Sequence, residues 1–98
     1  MPPEQIWLHP EAIREARAAR EWYNSWSDEV AEAFMTEMDS AIEEIGMGPR
    51  HWPNYLGQTR RYLLRRFPFF VVFREANDRI EILAVAHARR RPGYWLGR

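Results

Sequence analysis

Along this chain the hydrophobic period changes near the midpoint, from about 3.6 residues to 2, which predicts helices first and strands after. A short β-prone run, Gln5-Ile6-Trp7-Leu8, stops at His9-Pro10, where proline suits the first position of a helix. Over residues 10–24, Ile13, Ala16, Ala19 or Arg20, and Tyr23 recur at helical spacing, and Ala12, Trp22 and Trp26 widen the stripe. Trp22, Tyr23 and Trp26 are read as core, and the Arg and Glu residues between them as solvated. Ser27 is a natural N-cap, followed by Asp28 and Glu29 where the helix dipole favours negative charge. Val30, Phe34, Met38, Ala41, Ile42 and Ile45 then mark a second helix, which Gly46-Met47-Gly48-Pro49 ends. The tight link between the two helices predicts an antiparallel pair.

Residues 50–58 show no periodicity and read as a loop. Residues 60–67, 69–74 and 79–86 read as three consecutive antiparallel strands, the last two joined through the turn formers of Glu75-Ala76-Asn77-Asp78. In the final run Ile80, Ile82, Ala84 and Ala86 alternate with Glu81, Leu83, Val85 and His87, so both faces carry apolar side chains and the strand should be central. The Ile/Ala side is assigned to the helices and the other face is left open. Residues 89–98 read as an exposed tail carrying Tyr94 and Trp95. The expected fold is α+β, a single domain over residues 1–98: a short N-terminal strand, then a helical hairpin packed on a small, mainly antiparallel sheet completed by a three-stranded meander.

Composition narrows the picture. A chain of 98 residues that is 46% hydrophobic supports one core and is too short for two. It contains no cysteine, which excludes disulfides and thiolate metal sites. Met1-Pro2-Pro3-Glu4 lacks the basic lead of a secretion signal, and no apolar run approaches the ~18 residues of a membrane span, so a cytoplasmic protein that avoids membranes is expected.

Charge is what points to function. Residues 1–49 hold eleven Asp/Glu and three Arg, residues 50–98 three Asp/Glu and eleven Arg, so a formal charge of zero hides a net −8 followed by +8. A concentrated arginine field suits phosphate or an acidic partner chain. The lack of Lys fits the two-pronged guanidinium chemistry of such sites and equally fits codon usage in a GC-rich genome; the clustering of the Arg residues is the stronger signal.

Three clusters carry candidate chemistry: Arg60-Arg61 with Arg65-Arg66, His87, and Arg89-Arg90-Arg91 with Tyr94-Trp95. A basic groove with His and Tyr can stabilise a phosphorane and shuttle protons without metal. The competing reading is a solvated or carboxylate-paired edge for the Arg residues and a structural His87. Three scattered His residues give no metal-ligand spacing, and HExxH, P-loop, GxGxxG and nucleophile-elbow patterns are absent, so neither metal nor cofactor is expected.

The order of elements resembles the RelE/ParE superfamily of toxins from bacterial type II toxin-antitoxin modules. The resemblance rests on Arg60-Arg61-Tyr62-Leu63-Leu64-Arg65-Arg66-Phe67-Pro68-Phe69 with Val72-Phe73-Arg74, and on Ile82-Leu83-Ala84-Val85-Ala86-His87-Ala88-Arg89-Arg90 with Pro92 and Trp95. Pro10-Glu11-Ala12 and the segment from Ala41-Ile42 to Pro49 also look like the family. It implies a small toxin, associated with plasmid stabilisation and growth inhibition and held inactive in a hetero-oligomer by an acidic antitoxin. RelE-like members cut ribosome-bound messenger RNA; Arg61, Arg65, His87, Arg90 and Tyr94 are the positions that would carry such catalysis here. Phe69-Phe70 departs from the Tyr-Arg pair common in those nucleases, and Leu63 falls where a basic residue is common. Arg-Phe-Pro-Phe and His-x-Arg-Arg look more like the ParE branch, whose members are associated with poisoning of DNA gyrase. On that branch Arg60, Arg66, Arg89, Arg91 and Trp95 are candidates for binding the target or the antitoxin. A third alternative is a non-toxic binding module of the same fold.

Overall fold

A computed structural model describes residues 5–98 as two helices laid on a four-stranded mixed sheet. The elements are β1 (Ile6–Leu8), α1 (Pro10–Asn24), α2 (Asp28–Met47), a short 3-10 helix (Pro49–His51), β2 (Arg60–Leu63), β3 (Phe69–Ala76) and β4 (Arg79–His87). Both helix starts follow from local chemistry. Pro10 opens α1, and His9 caps it by accepting the Glu11 N–H at Nδ1 (3.0 Å). Ser27 caps α2 by accepting the Val30 N–H. Among the described residues no helix is long and apolar enough to cross a membrane.

The strands lie in the order β1-β4-β3-β2, with β1 parallel to β4 and the other neighbours antiparallel. β4 is therefore internal, as its two apolar faces predict. The β3–β4 hairpin closes through Asn77 and Asp78, both at positive φ, the turn geometry that matches strand twist and that Asn and Asp tolerate best. β2 is shorter than the predicted strand: after Leu63 the chain bends, Leu64 turns into the core, and residues 65–68 lead to β3.

The assignment of faces on β4 needs correcting. Val72 pairs with Ala84 while Phe73 pairs with Ile82, so Leu83 is an extra residue and β4 carries a bulge. The bulge reverses the alternation. Ile80 and Ile82 face the helices as expected, but beyond the bulge Val85 takes over that side, and Ala84 and Ala86 turn to the outer face.

The core beneath the helices joins Phe34, Met38, Ala41 and Ile45 of α2 to Val71, Phe73, Ile80 and Ile82. Tyr23, Phe34, Phe67 and Phe69 form an aromatic cluster with ring centroids 5.0–6.3 Å apart, which fastens the hairpin to the bend between β2 and β3. The outer face is not open. Trp95 is 0% exposed and packs with Phe70, Val72, Ala84 and Ala86, while Tyr55 and Leu56 close over it. The predicted exposed tail is instead a strap across the sheet, because a chain this small buries its large rings wherever two flat alanines leave room.

Trp95→Ala should destabilise the fold by about 3–5 kcal/mol, measured by chemical denaturation, because it empties the centre of the outer layer. Trp95→Phe should cost less than about half of that, since the indole N–H has no hydrogen-bond partner among the described residues to lose.

Candidate functional site

β1 covers β4 only from Ile80 to Ile82, and His9 N–H extends the pairing to the Ile82 carbonyl (2.9 Å). Past that point the edge of β4 would present bare backbone, and side chains close it. Glu15 of α1 accepts the Val85 N–H at 3.0 Å, and Arg98 donates to the Leu83 carbonyl at 2.9 Å. The same carboxylate receives Arg98 (2.9 Å), the Tyr94 hydroxyl (2.7 Å) and Arg90 (3.2 Å). One acid of the first half thus gathers three groups of the last nine residues and holds the strap in place. The helical pattern alone predicts a solvated Glu15, and the structure instead leaves its side chain 12% exposed. The signal that marks it is its place among Ala12, Ala16 and Ala19, whose small side chains bring α1 close to the sheet.

This junction determines what two candidate residues can do. Burial first, and then the hydrogen bond and negative charge of Glu15, push the Tyr94 phenol far above its ordinary value, against the opposing pull of Arg90 and Arg98. Such a hydroxyl keeps its proton at neutral pH. The Arg90 guanidinium lies over the Tyr94 ring, 3.6 Å from its centroid, with its charge balanced by Glu15.

The other candidates sit elsewhere. Arg61 lies on the outer face over the rings of Tyr55 (4.1 Å) and Phe70 (5.1 Å), and Tyr55 stacks in turn on Trp95. His87 is on the helix side, edge-on to Phe69 at 4.9 Å, and its Nδ1 accepts the Arg89 N–H. Arg65 and Arg66 occupy the bend after β2, where their backbone amides are held by Glu37 and Arg66 also pairs with it at 3.4 Å. Arg60 donates to the Trp52 carbonyl. Arg89 and Arg91 are exposed in the turn after β4. The fold therefore gathers Arg90 and Tyr94, and keeps Arg61, on the outer face, apart from His87, on the helix side. Trp95, expected to be exposed, is buried.

Two further charged clusters are satisfied within the fold. Buried Glu81 accepts Arg74 and Arg79, each at 2.9 Å; burial raises its pKa, but these hydrogen bonds and that from Asn77 outweigh burial and lower it. Tyr62 bonds to Glu44, which, with burial, pushes its phenol up to about 12. Among the described residues no group of three or more His, Cys, Asp or Glu could hold a metal ion.

Two apolar surfaces remain. A groove of about 280 Å³ runs between α1, α2 and the β1 end of the sheet, lined by Leu8, Ile13, Ala16, Met35 and Ile42 with Arg17, Arg20 and Asp39 at its rim. At the hairpin turn Trp22 and Trp26, expected in the core, are 63% and 75% exposed and touch each other edge-on; of the predicted aromatic stripe only Tyr23 turns inward.

Residues 6–92 match the family model described as ParE toxin of type II toxin-antitoxin system, parDE. A search of curated proteins finds no match. Among solved structures, the "Chromosomal ParDE TA system from P. aeruginosa" superimposes with a TM-score of 0.78 at 18% sequence identity, over 88% of this chain and 97% of that one. At that identity the likeness speaks for the fold.

Glu15→Ala should cost about 2–4 kcal/mol, read from the denaturation midpoint, because it strands the Val85 N–H and the nearly buried Arg98 together; Arg90, half exposed, contributes little. Tyr94 also makes stability depend on alkali. Its native pKa lies above the unfolded value of about 10, so its stabilisation is full below pH ~10 and is lost as pH rises further. Thermal melts from pH 8 to 12 should show that decline, with a flatter course in Tyr94→Phe.

Proposed function

Since the chain belongs to the ParE toxin family of type II toxin-antitoxin systems, we propose that it acts by binding and poisoning DNA gyrase in the cytoplasm and is neutralised there by a cognate acidic antitoxin. The observation that carries this reading over messenger RNA cleavage is the Glu15 junction. A nuclease needs its cationic and proton-transferring groups free around one scissile phosphate. Here Tyr94 and Arg90 are committed to Glu15, Arg61 and His87 lie on opposite faces, and Phe70 and Trp95 fill the sheet surface on which a strand of RNA would lie.

Binding has better-prepared surfaces. The groove between the helices offers an apolar seat for an antitoxin helix, with Arg17 and Arg20 placed to meet its acids. Beyond the Asn54 bridge at Arg60, the outer edge of β2, with Leu63 59% exposed, offers pairing to an extended segment of the same partner. The exposed Trp22 and Trp26 form the sort of aromatic anchor that protein targets bury on binding.

Induction of the protein alone in a bacterial host should produce double-strand breaks in DNA while transcripts stay intact, and co-expression of the antitoxin should abolish both breaks and growth arrest. Tyr94→Phe should retain toxicity. Codon-phased messenger 5′ ends that vanish in Tyr94→Phe would instead establish the nuclease. Trp22→Ala with Trp26→Ala should weaken inhibition of purified gyrase supercoiling at least tenfold while antitoxin affinity, measured by calorimetry, is kept.

A further inference from the structure

Two chain bends meet at one end of the sheet. The first, residues 64–68, joins β2 to β3; the second, residues 88–91, leaves β4. The strand order sets them side by side, since Phe69 pairs with His87 and the Ala88 N–H donates to the Pro68 carbonyl at 2.7 Å. Arg65, Arg66, Arg89, Arg90 and Arg91 all emerge there and all are exposed. The backbone of four of them is held by hydrogen bonds: Glu37 holds the amides of Arg65 and Arg66, and His87 accepts the amide of Arg89 at Nδ1 and that of Arg90 at its carbonyl.

The carboxylates that balance this end lie beneath it. Glu37 and Glu15 expose 11% and 12% of their side chains, against 65% and 54% for their partners Arg66 and Arg90. Arg65, Arg89 and Arg91 make no ion pair among the described residues. What faces solvent is thus a close set of five guanidiniums, three of them without an ion pair among the described residues. The opposite end of the sheet carries Glu75 and Asp78 and is balanced, with Arg50 bound to Glu75 at 3.2 Å.

We propose that this arginine end contacts the phosphate backbone of duplex DNA, with Arg65, Arg89 and Arg91 as its principal donors. The inference deepens the proposed function, on which it rests for its biological setting: a gyrase poison meets its target while that enzyme holds DNA. Guanidinium forks match phosphate oxygens in pairs, and the contact needs no base-reading element, so it is independent of sequence. An acidic protein is the competing ligand. It is less well matched, because the apolar surfaces that a protein partner would bury lie in the helix groove and at the Trp22–Trp26 turn, and this end offers guanidiniums and Pro68 instead.

The test is fluorescence anisotropy of a labelled duplex of arbitrary sequence with the purified chain across a salt series, with a Glu-rich peptide as the competing probe. Each phosphate neutralised contributes about 0.9 to the slope of log affinity against log salt, so the wild type should show a slope of about −3 or steeper. Arg65→Ala, Arg89→Ala and Arg91→Ala should each lower it by about 0.9, and the triple variant should lose at least tenfold in affinity at low salt. Arg50→Ala, with the same change in charge at the opposite end, should leave the slope unchanged. Far-UV circular dichroism melts confirm that each variant is folded. Equal losses in Arg50→Ala, an unchanged triple variant, or binding of the peptide without DNA would each overturn the proposal. Supercoiling by purified gyrase is assayed alongside. Wild-type protein that binds DNA through these arginines yet leaves gyrase unaffected retains the DNA surface and sinks the gyrase reading; inhibition of gyrase by a protein whose affinity for DNA is indifferent to all three arginines does the reverse.

Discussion

β4 needs backbone partners along nine residues, and on one side β1 supplies them for three. The rest of that edge has to be satisfied by something else, because an unpaired strand edge is costly when buried and adhesive when exposed. Glu15 and Arg98 answer this need, one accepting from Val85 and the other donating to Leu83. Most of the unusual features follow from that closure. It ties α1 to the sheet, draws the last residues back over the outer face, and lets Trp95 seal that face against Phe70 and the two alanines. It also commits Tyr94 and Arg90 to structure.

The same logic explains how a chain with opposed charges in its two halves folds without strain. Helices carrying acids and strands carrying arginines are laid against each other, so Glu15, Glu37 and Glu44 each meet a group from the second half. Pairs of this kind at a surface add little stability one by one. Their larger effect is to determine which arginines remain available. Glu15 and Glu37 lie under the surface and leave outward-facing guanidiniums at one end, while Glu81 absorbs Arg74 and Arg79 in the sheet.

In this ParE-family chain aromatic side chains plug the outer sheet face, and the reading of it as a binding protein rather than a nuclease rests on that packing. Proton transfer at a phosphate requires groups that change protonation near neutral pH, and a phenol held by a buried carboxylate does not. Recognition asks only for exposed apolar and cationic surface on a stiff frame, and the helix groove, the Trp22–Trp26 turn and the arginine end supply three such surfaces on different sides.

Much of this fold was legible in the sequence. The 3.6 period of α1 and α2, their caps at His9-Pro10 and Ser27, the turn at Asn77-Asp78 and the internal position of β4 are all set by interactions among residues close in the chain or by the balance of apolar faces along one element. Candidate residues were legible only as a list of arginines, with His87, Tyr94 and Trp95 added. Their fate was decided by contacts between distant parts of the chain. The bulge at Leu83 exchanged the faces of Val85 and the two alanines, the gap beyond β1 called in Glu15 across 70 residues of sequence, and the room above Ala84 and Ala86 took Trp95 out of solvent. Sequence by itself determined the elements, because helix and strand periods and caps are local. Tertiary structure alone decided which charges are spent inside the molecule and which face outward, because that depends on where an unsatisfied backbone edge meets the nearest carboxylate.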